Sequence, residues 1–302
     1  MSLSTTRNGI QLDIIKSGLQ KYIRRCDFDK ALFCALELDD YRQIKGGDKV
    51  FNNFVNRLRI ILSEDILDKL VWHFQIYQWI DLYEIEKNVY KRIELLYNII
   101  KAMCSLKKAR MASYLRASYY QILQNPVLVQ KYHINFTGSN ANNLDNFVLL
   151  LGQRSYDCFY YFFQIFYHDK KNIQAVFDIL GHILDKKLVD YYYKIYKTVC
   201  KNYPKPVFIS FLILLCLNES LLDDDDLIEF ETLSPVFIES LLVSQCSFEL
   251  DDYVVDKHTA TGRAKGKTAA DFSLQGAIVN NQSSLVIDKF REMYNDVRSY
   301  QK

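Results

Sequence analysis

Apolar residues recur at intervals of three and four along most of this chain, and that periodicity restricts its fold more than any other feature. Leu12, Ile15, Leu19 and Ile23 form one such stripe, and Phe51, Phe54, Val55, Leu58, Ile61 and Leu62 form another. An α-helix returns to the same face every 3.6 residues, whereas a half-buried strand alternates at two, so these stripes predict helices. The chain carries only four prolines and ten glycines in 302 residues, so few positions break a helix. With 49% apolar residues it has ample material for a core. An all-α protein is expected, a multi-helix array of antiparallel helical hairpins.

Helices are expected near 10–25, 28–40, 49–63, 66–82, 84–105 and 108–124. Lys45-Gly-Gly-Asp48 marks a turn, and Asn125-Pro126 closes the group. Residues 132–143 hold Gly138 and several asparagines, which favour a boundary or a long connection. Two domains follow: a helical domain over 1–130, and a second helical, tyrosine-rich region over 131–302 with a basic loop near 257–267. In the second region helices are expected over 145–167, 172–184, 185–201, 206–218, 235–244, 269–279 and 285–297. Tyr160, Tyr161, Phe162, Phe163, Phe166 and Tyr167 cover more than one helical face, as do Tyr191, Tyr192, Tyr193 and Tyr196. Such helices are buried on two sides, in a core or in an oligomer contact. Asp223-Asp-Asp-Asp226 is expected to cap a short helix from Leu227 and to face solvent, not to hold a metal.

The formal net charge of +2 names no partner, which directs attention to local asymmetry. Seven cysteines, at 26, 34, 104, 158, 200, 216 and 246, lack C-x-x-C spacing and sit mostly in apolar stretches. They read as reduced, buried thiols of an intracellular protein, cytoplasmic or nuclear. The first residues have no apolar segment of the secretory kind. The longest apolar run, 207–217, falls short of the roughly 20 residues that span a bilayer, so no membrane partner is expected.

No Asp or Glu occurs between Leu95 and Leu144, while Lys101, Lys107, Lys108, Arg110, Arg116 and Lys131 do. Tyr114, Tyr119 and Tyr120 are interleaved with them. Cations follow phosphates and aromatic rings stack on unpaired bases, so Lys101, Lys107, Lys108, Arg110, Tyr114 and Arg116 form the first candidate for a DNA surface. The alternative is a solvated helix face with core tyrosines. A second basic cluster, Arg263, Lys265 and Lys267, sits in Gly262-Arg-Ala-Lys-Gly-Lys-Thr268, which imitates a phosphate loop. It lacks the glycine needed where Thr261 stands, and no acidic strand accompanies it, so a nucleotide site is not expected. No catalytic group, cofactor or metal site can be assembled from spacing; His73, His133, His168, His182 and His258 are scattered singly.

Two stretches carry a resemblance to a family. Lys21, Arg24, Asp27, Asp29, Ala31 and Leu32 match a signature K-S-x-R-G-S-D-x-D-A-A-L. About thirty residues on, Arg57, Leu58, Ser63, Glu64, Asp65 and Ile66 match R-R-L-x-x-x-A-S-E-D-I-G. Over roughly residues 10–120 the chain resembles the C-terminal helical domain of the MgsA/RarA-type replication-associated recombination ATPases, relatives of the clamp loaders. The resemblance implies a clamp-loader-collar-like N-terminal half that oligomerises or binds a clamp-loader-like ATPase. It implies a role in DNA replication or repair beside DNA and single-strand-binding protein. Because the chain has no complete phosphate loop, acidic magnesium strand or sensor region, the family's ATPase activity is not carried over and a non-catalytic subunit or scaffold is expected. The competing expectation is a helical protein–protein interaction or structural protein, of a kind a virus could encode, with no DNA binding. Read from the residues alone, Asp27 is an N-cap, and Ser63, Glu64 and Asp65 cap the next helix and fill its first turn.

Overall fold

The computed structural model describes residues 4–132, 142–198, 205–222, 226–243, 249–284 and 287–299. Its helices in chain order are α1 (Leu12–Arg24), α2 (Phe28–Asp39), α3 (Asp48–Asp65), α4 (Leu70–Ile85), α5 (Val89–Ser105), α6 (Met111–Gln124), α7 (Pro126–Lys131) and α8 (Asn143–Gly152). There follow α9 (Cys158–His168), α10 (Ile173–Ile183), α11 (Lys186–Thr198), α12 (Pro206–Leu217), α13 (Pro235–Val243), α14 (Ala260–Ala264), α15 (Ala269–Asp271) and α16 (Ile287–Ser299). The protein is all-helical, and its only extended pairing among the described residues is in isolated bridges.

The chain divides into two compact units, and each is discontinuous in sequence. The first takes residues 1–62, 66–108 and 226–282; the second takes 63–65, 109–225 and 283–302. The division therefore falls near 108 and 226, not at the expected boundary near 130. Residues 133–141, where that boundary was placed, lie outside the described residues.

In the first unit α1 and α2 form a hairpin joined by Arg25-Cys26-Asp27, with Cys26 in the left-handed region (φ 59°). Ile15, Leu19, Tyr22 and Ile23 of α1 and Leu32, Ala35 and Leu38 of α2 are buried, as the stripes require. Asp27 caps α2, accepting from the Lys30 N–H at 3.3 Å. The turn before α3 needs both its glycines: Gly46 has φ 81°, and a Cβ on Gly47 would lie 2.0 Å from the Tyr41 carbonyl oxygen.

A buried polar triad joins α2, α4 and α5. Arg92 grips Asp39 with Nε to Oδ1 at 3.0 Å and Nη2 to Oδ2 at 3.0 Å, and the Tyr83 hydroxyl donates to Oδ1 at 2.6 Å. All three side chains are buried. A bidentate charged pair off water is directional, so it sets α4 and α5 in one register on α2. Asn88 caps α5, accepting from the Lys91 N–H at 3.1 Å. That cap is why residues 86–88 interrupt the helix expected from 84.

In the second unit α12 is the inner helix. Every residue from Pro206 to Leu217 is buried, as an all-round apolar helix demands. Tyr119 stacks on Phe163 with centroids 5.6 Å apart, and Tyr192 stacks on Phe211 at the same 5.6 Å. Of the tyrosine-rich stretches, Tyr160, Tyr161, Phe162, Phe163 and Tyr192 are buried in this unit, while Phe166, Tyr167, Tyr191, Tyr193 and Tyr196 are half-buried. The helix expected over 145–167 is two helices. Arg154 takes φ 53° after Gly152, and the Ser155 N–H returns to the Leu150 carbonyl at 2.9 Å, closing α8 before α9 starts. Among the described residues no helix is long and apolar enough to cross a membrane.

Candidate functional site

The feature that stands out in the first unit is an extended segment, residues 226–234, laid across α4 and α5. Here a helix was expected from Leu227; the segment is instead bound by side chains. Gln75 of α4 donates from Nε2 to the Ile228 carbonyl and accepts from the Ile228 N–H with Oε1, both at 2.8 Å. Asn98 of α5 repeats this on Glu231, donating from Nδ2 at 2.9 Å and accepting at 2.8 Å. Each primary amide thus satisfies one donor and one acceptor of a single residue's backbone, the pairing a strand edge would otherwise supply. Trp72 Nε1 donates to the Asp226 carbonyl at 2.8 Å, and Glu94 Oε1 accepts from the Leu233 N–H at 2.8 Å.

The helices present these groups by simple spacing. Trp72, Gln75 and Trp79 share a face of α4, and Lys91, Glu94, Asn98 and Lys101 share a face of α5. The segment's side chains are held more loosely than its backbone. Phe230 meets Trp79 edge-on at 5.4 Å, and Glu231 forms an ion pair with Lys101, which raises the lysine's pKa. Only Leu233 is buried, while Asp226, Leu227, Glu229 and Phe230 are exposed.

Beside this segment lies an open groove of about 540 Å³, lined by Leu82, Ile85, Glu86, Lys87, Lys91, Glu94, Leu95 and Phe230. Leu82 is 51% exposed and Ile85 70% exposed. Tyr83 and Arg92, on the buried faces of the same two helices, meet Asp39 of α2 in the triad.

Two of the residues expected to form a DNA surface, Lys108 and Arg110, are interior. Lys108 is fully buried, its Nζ donating to the Cys104 carbonyl at 3.0 Å and to that of Leu106, and burial lowers its pKa. Arg110 is buried against Asp65 at 3.6 Å and lies over the Tyr114 ring. Tyr114 is half-buried, its ring 5.1 Å from that of Tyr294, and Arg116 is half-buried. Lys101 is engaged with Glu231, and Lys131 is paired with Asp296 at 2.8 Å. Lys107 is exposed, but its N–H donates to Asp68 at 2.7 Å. Cations within a run without acids take their counter-charges from distant stretches, which a linear reading does not display.

The second basic cluster is part helix. Thr259 caps α14, its Oγ1 accepting from the Gly262 N–H at 3.0 Å, and Thr268 forms a capping box with Asp271 around α15. Lys267 pairs with Asp252 at 2.7 Å, Arg263 donates to the His258 carbonyl at 3.0 Å, and Lys265 is exposed.

The family-signature residues make contacts within the chain. Lys21 is buried, with Nζ 2.6 Å from Asp256 and 2.7 Å from the Tyr253 carbonyl; burial pulls its pKa down to about 8 against the opposing pull of Asp256. Arg24, also buried, donates to the Gly276 carbonyl at 3.2 Å, and Arg57 donates to Gln20 at 3.5 Å. Ser63, Glu64 and Asp65 do not cap the next helix. They are the last turn of α3, and α4 begins only at Leu70. Glu64 accepts from the Ser113 hydroxyl, and Asp65 is fully buried facing Arg110, whose charge offsets a carboxylate at a helix C-terminus.

Cys34, Cys104, Cys158 and Cys216 are buried free thiols, and Cys26 is half-buried. Among the described residues no cluster of His, Cys, Asp and Glu has the make-up of a metal site. Gln75 and Asn98 were missed by the sequence reading, because nothing local separates them from other polar residues on amphipathic helices. Their only signal is position: each shares a face with aromatic or charged neighbours at helical spacing. What the fold and groove define is a class, an all-helical protein carrying a surface groove with a bound chain segment beside it. No protein-family model, curated protein or solved structure matches this chain.

Proposed function

We propose that this protein is a non-catalytic helical scaffold whose first unit binds a protein partner at the groove on α4 and α5. The observation that carries this reading is the pair Leu82 and Ile85, two aliphatic side chains more than half exposed and adjacent in one groove. Apolar surface collected in a concave site gains by being covered, and a partner's side chains supply the cover. The test is affinity capture from the native source with the wild-type chain and a Leu82→Asp/Ile85→Asp variant, read by quantitative mass spectrometry. A partner held by wild type and lost from the folded variant supports the reading; an unchanged set of partners sinks it.

A second reading keeps the DNA role, as a subunit in replication or repair that joins a homo-oligomer or a clamp-loader-like ATPase. The exposed cations Lys107, Arg263 and Lys265, and the signatures resembling the recombination ATPases, favour it. Gel-shift titration at several salt concentrations tests it. Binding that falls with salt and is lost on reversing these three cations to glutamate supports contact with phosphates. No shift with single- or double-stranded DNA removes it.

A further inference from the structure

Resting on the groove reading above, we infer that the α4–α5 face beside the groove is a peptide-reading surface, that residues 226–233 are its internal and displaceable occupant, and that the partner is an extended acidic–apolar peptide of the same chemistry. Gln75 and Asn98 recognise backbone, each through a donor and an acceptor to one residue. Side-chain amides used in this way do not read the bound sequence. Any extended chain that presents two backbone positions three residues apart meets the same pair, and three is the repeat of a polyproline-II strand.

Specificity comes from the rim. Lys101 takes a carboxylate at the position of Glu231, and Trp79 takes an aromatic edge at that of Phe230. Lys87 and Lys91 line the groove next to it. The favoured partner therefore carries an apolar residue, an aromatic two positions on and a carboxylate one further, as Ile228, Phe230 and Glu231 do. The internal segment is displaceable because backbone bonds, one exposed ion pair and the edge contact of an exposed Phe230 with Trp79 hold it, with Leu233 its single buried side chain. Segments with few buried apolar contacts open well before the global fold does.

The experiment uses the full chain and a fluorescent peptide of sequence DLIEFETLS. Tethering keeps the internal copy at an effective concentration on the order of millimolar, so wild type should bind the peptide only weakly. Phe230→Ala with Glu231→Lys weakens the internal copy, and anisotropy should then show at least about tenfold tighter binding in trans. Adding Gln75→Ala or Asn98→Ala to that background should cost about tenfold each, the worth of a lost pair of hydrogen bonds.

A wild-type measurement guards against a misfolded variant: in hydrogen exchange the Ile228 and Glu231 amides should open faster than the buried amides of α4 and α5. Exchange at 228 and 231 as slow as that core, peptide affinity indifferent to Gln75 and Asn98, or no binding by the folded variant each overturns the inference. If peptide binding fails while capture still depends on Leu82 and Ile85, the groove reading stands and only the extended-peptide partner is lost. If capture fails as well, the scaffold reading goes with it.

Discussion

Acid should weaken the first unit through one side chain, His73. It lies on α4 with no exposed surface, and burial pushes its imidazole from 6.5 down to about 3. Between those values the folded chain holds His73 neutral while the unfolded chain takes up a proton. Stability is therefore fully present above pH 6.5 and falls as pH drops through the window toward 3. The slope for one proton is about 1.4 kcal/mol per pH unit. Going from pH 7 to pH 5 should thus remove about 2 kcal/mol, a sizeable part of the roughly 5–15 kcal/mol that a folded chain has. Both tryptophans, Trp72 and Trp79, are on the same helix, so intrinsic fluorescence in a urea titration reports on this unit. The comparison is wild type against His73→Leu, each at both pH values. Carboxylates that begin to titrate near pH 5 act in both proteins and cancel in the difference. If the two proteins lose the same stability to within about 0.5 kcal/mol, His73 is not held neutral by burial and the reasoning fails.

The same fluorescence assay checks the buried triad: Arg92→Met strands Asp39 with Tyr83 alone and should cost about 3–5 kcal/mol, whereas a change near zero would mean the pair does not fix α5 on α2. In the second unit, the Ser210 hydroxyl is buried on the apolar helix α12 and finds no hydrogen-bond partner among the described residues. Ser210→Ala should raise stability by about 1 kcal/mol, seen as a higher melting temperature by circular dichroism; a lower one counts against this. Neighbouring lysines should behave oppositely: Lys108→Glu places a carboxylate against two carbonyls off water and should cost more than about 3 kcal/mol, while Lys107→Glu at the surface should stay within about 0.5 kcal/mol. Equal effects in a denaturation series would contradict the burial of Lys108.

Much of the secondary structure was open to reading because it depends on neighbours within one or two turns. The stripe Leu12, Ile15, Leu19, Ile23, the cap Asp27 and the glycine pair at 46–47 are each determined by residues no more than a few positions away. Errors arose where a local rule had two solutions. Ser63-Glu64-Asp65 satisfies the rule for a helix start, yet the stretch ends α3, because Ser113 and Arg110 supply partners that no local rule contains. Residues 226–234 have the look of a capped helix beginning, but Gln75 and Asn98 offer that backbone hydrogen bonds from 133 or more residues away.

By itself, then, the sequence determined that this protein is helical, where most helices run, and which apolar stripes turn inward, since the period of a stripe is a property of a single helix. The tertiary structure alone decided what its charged and polar residues do. Lys108 and Arg110 became interior cations, Lys101 became the counter-charge of Glu231, and Gln75 and Asn98 became the clasps of an extended segment. A side chain's charge is written at its own position, but its partner and its exposure are set by packing between elements far apart in the chain.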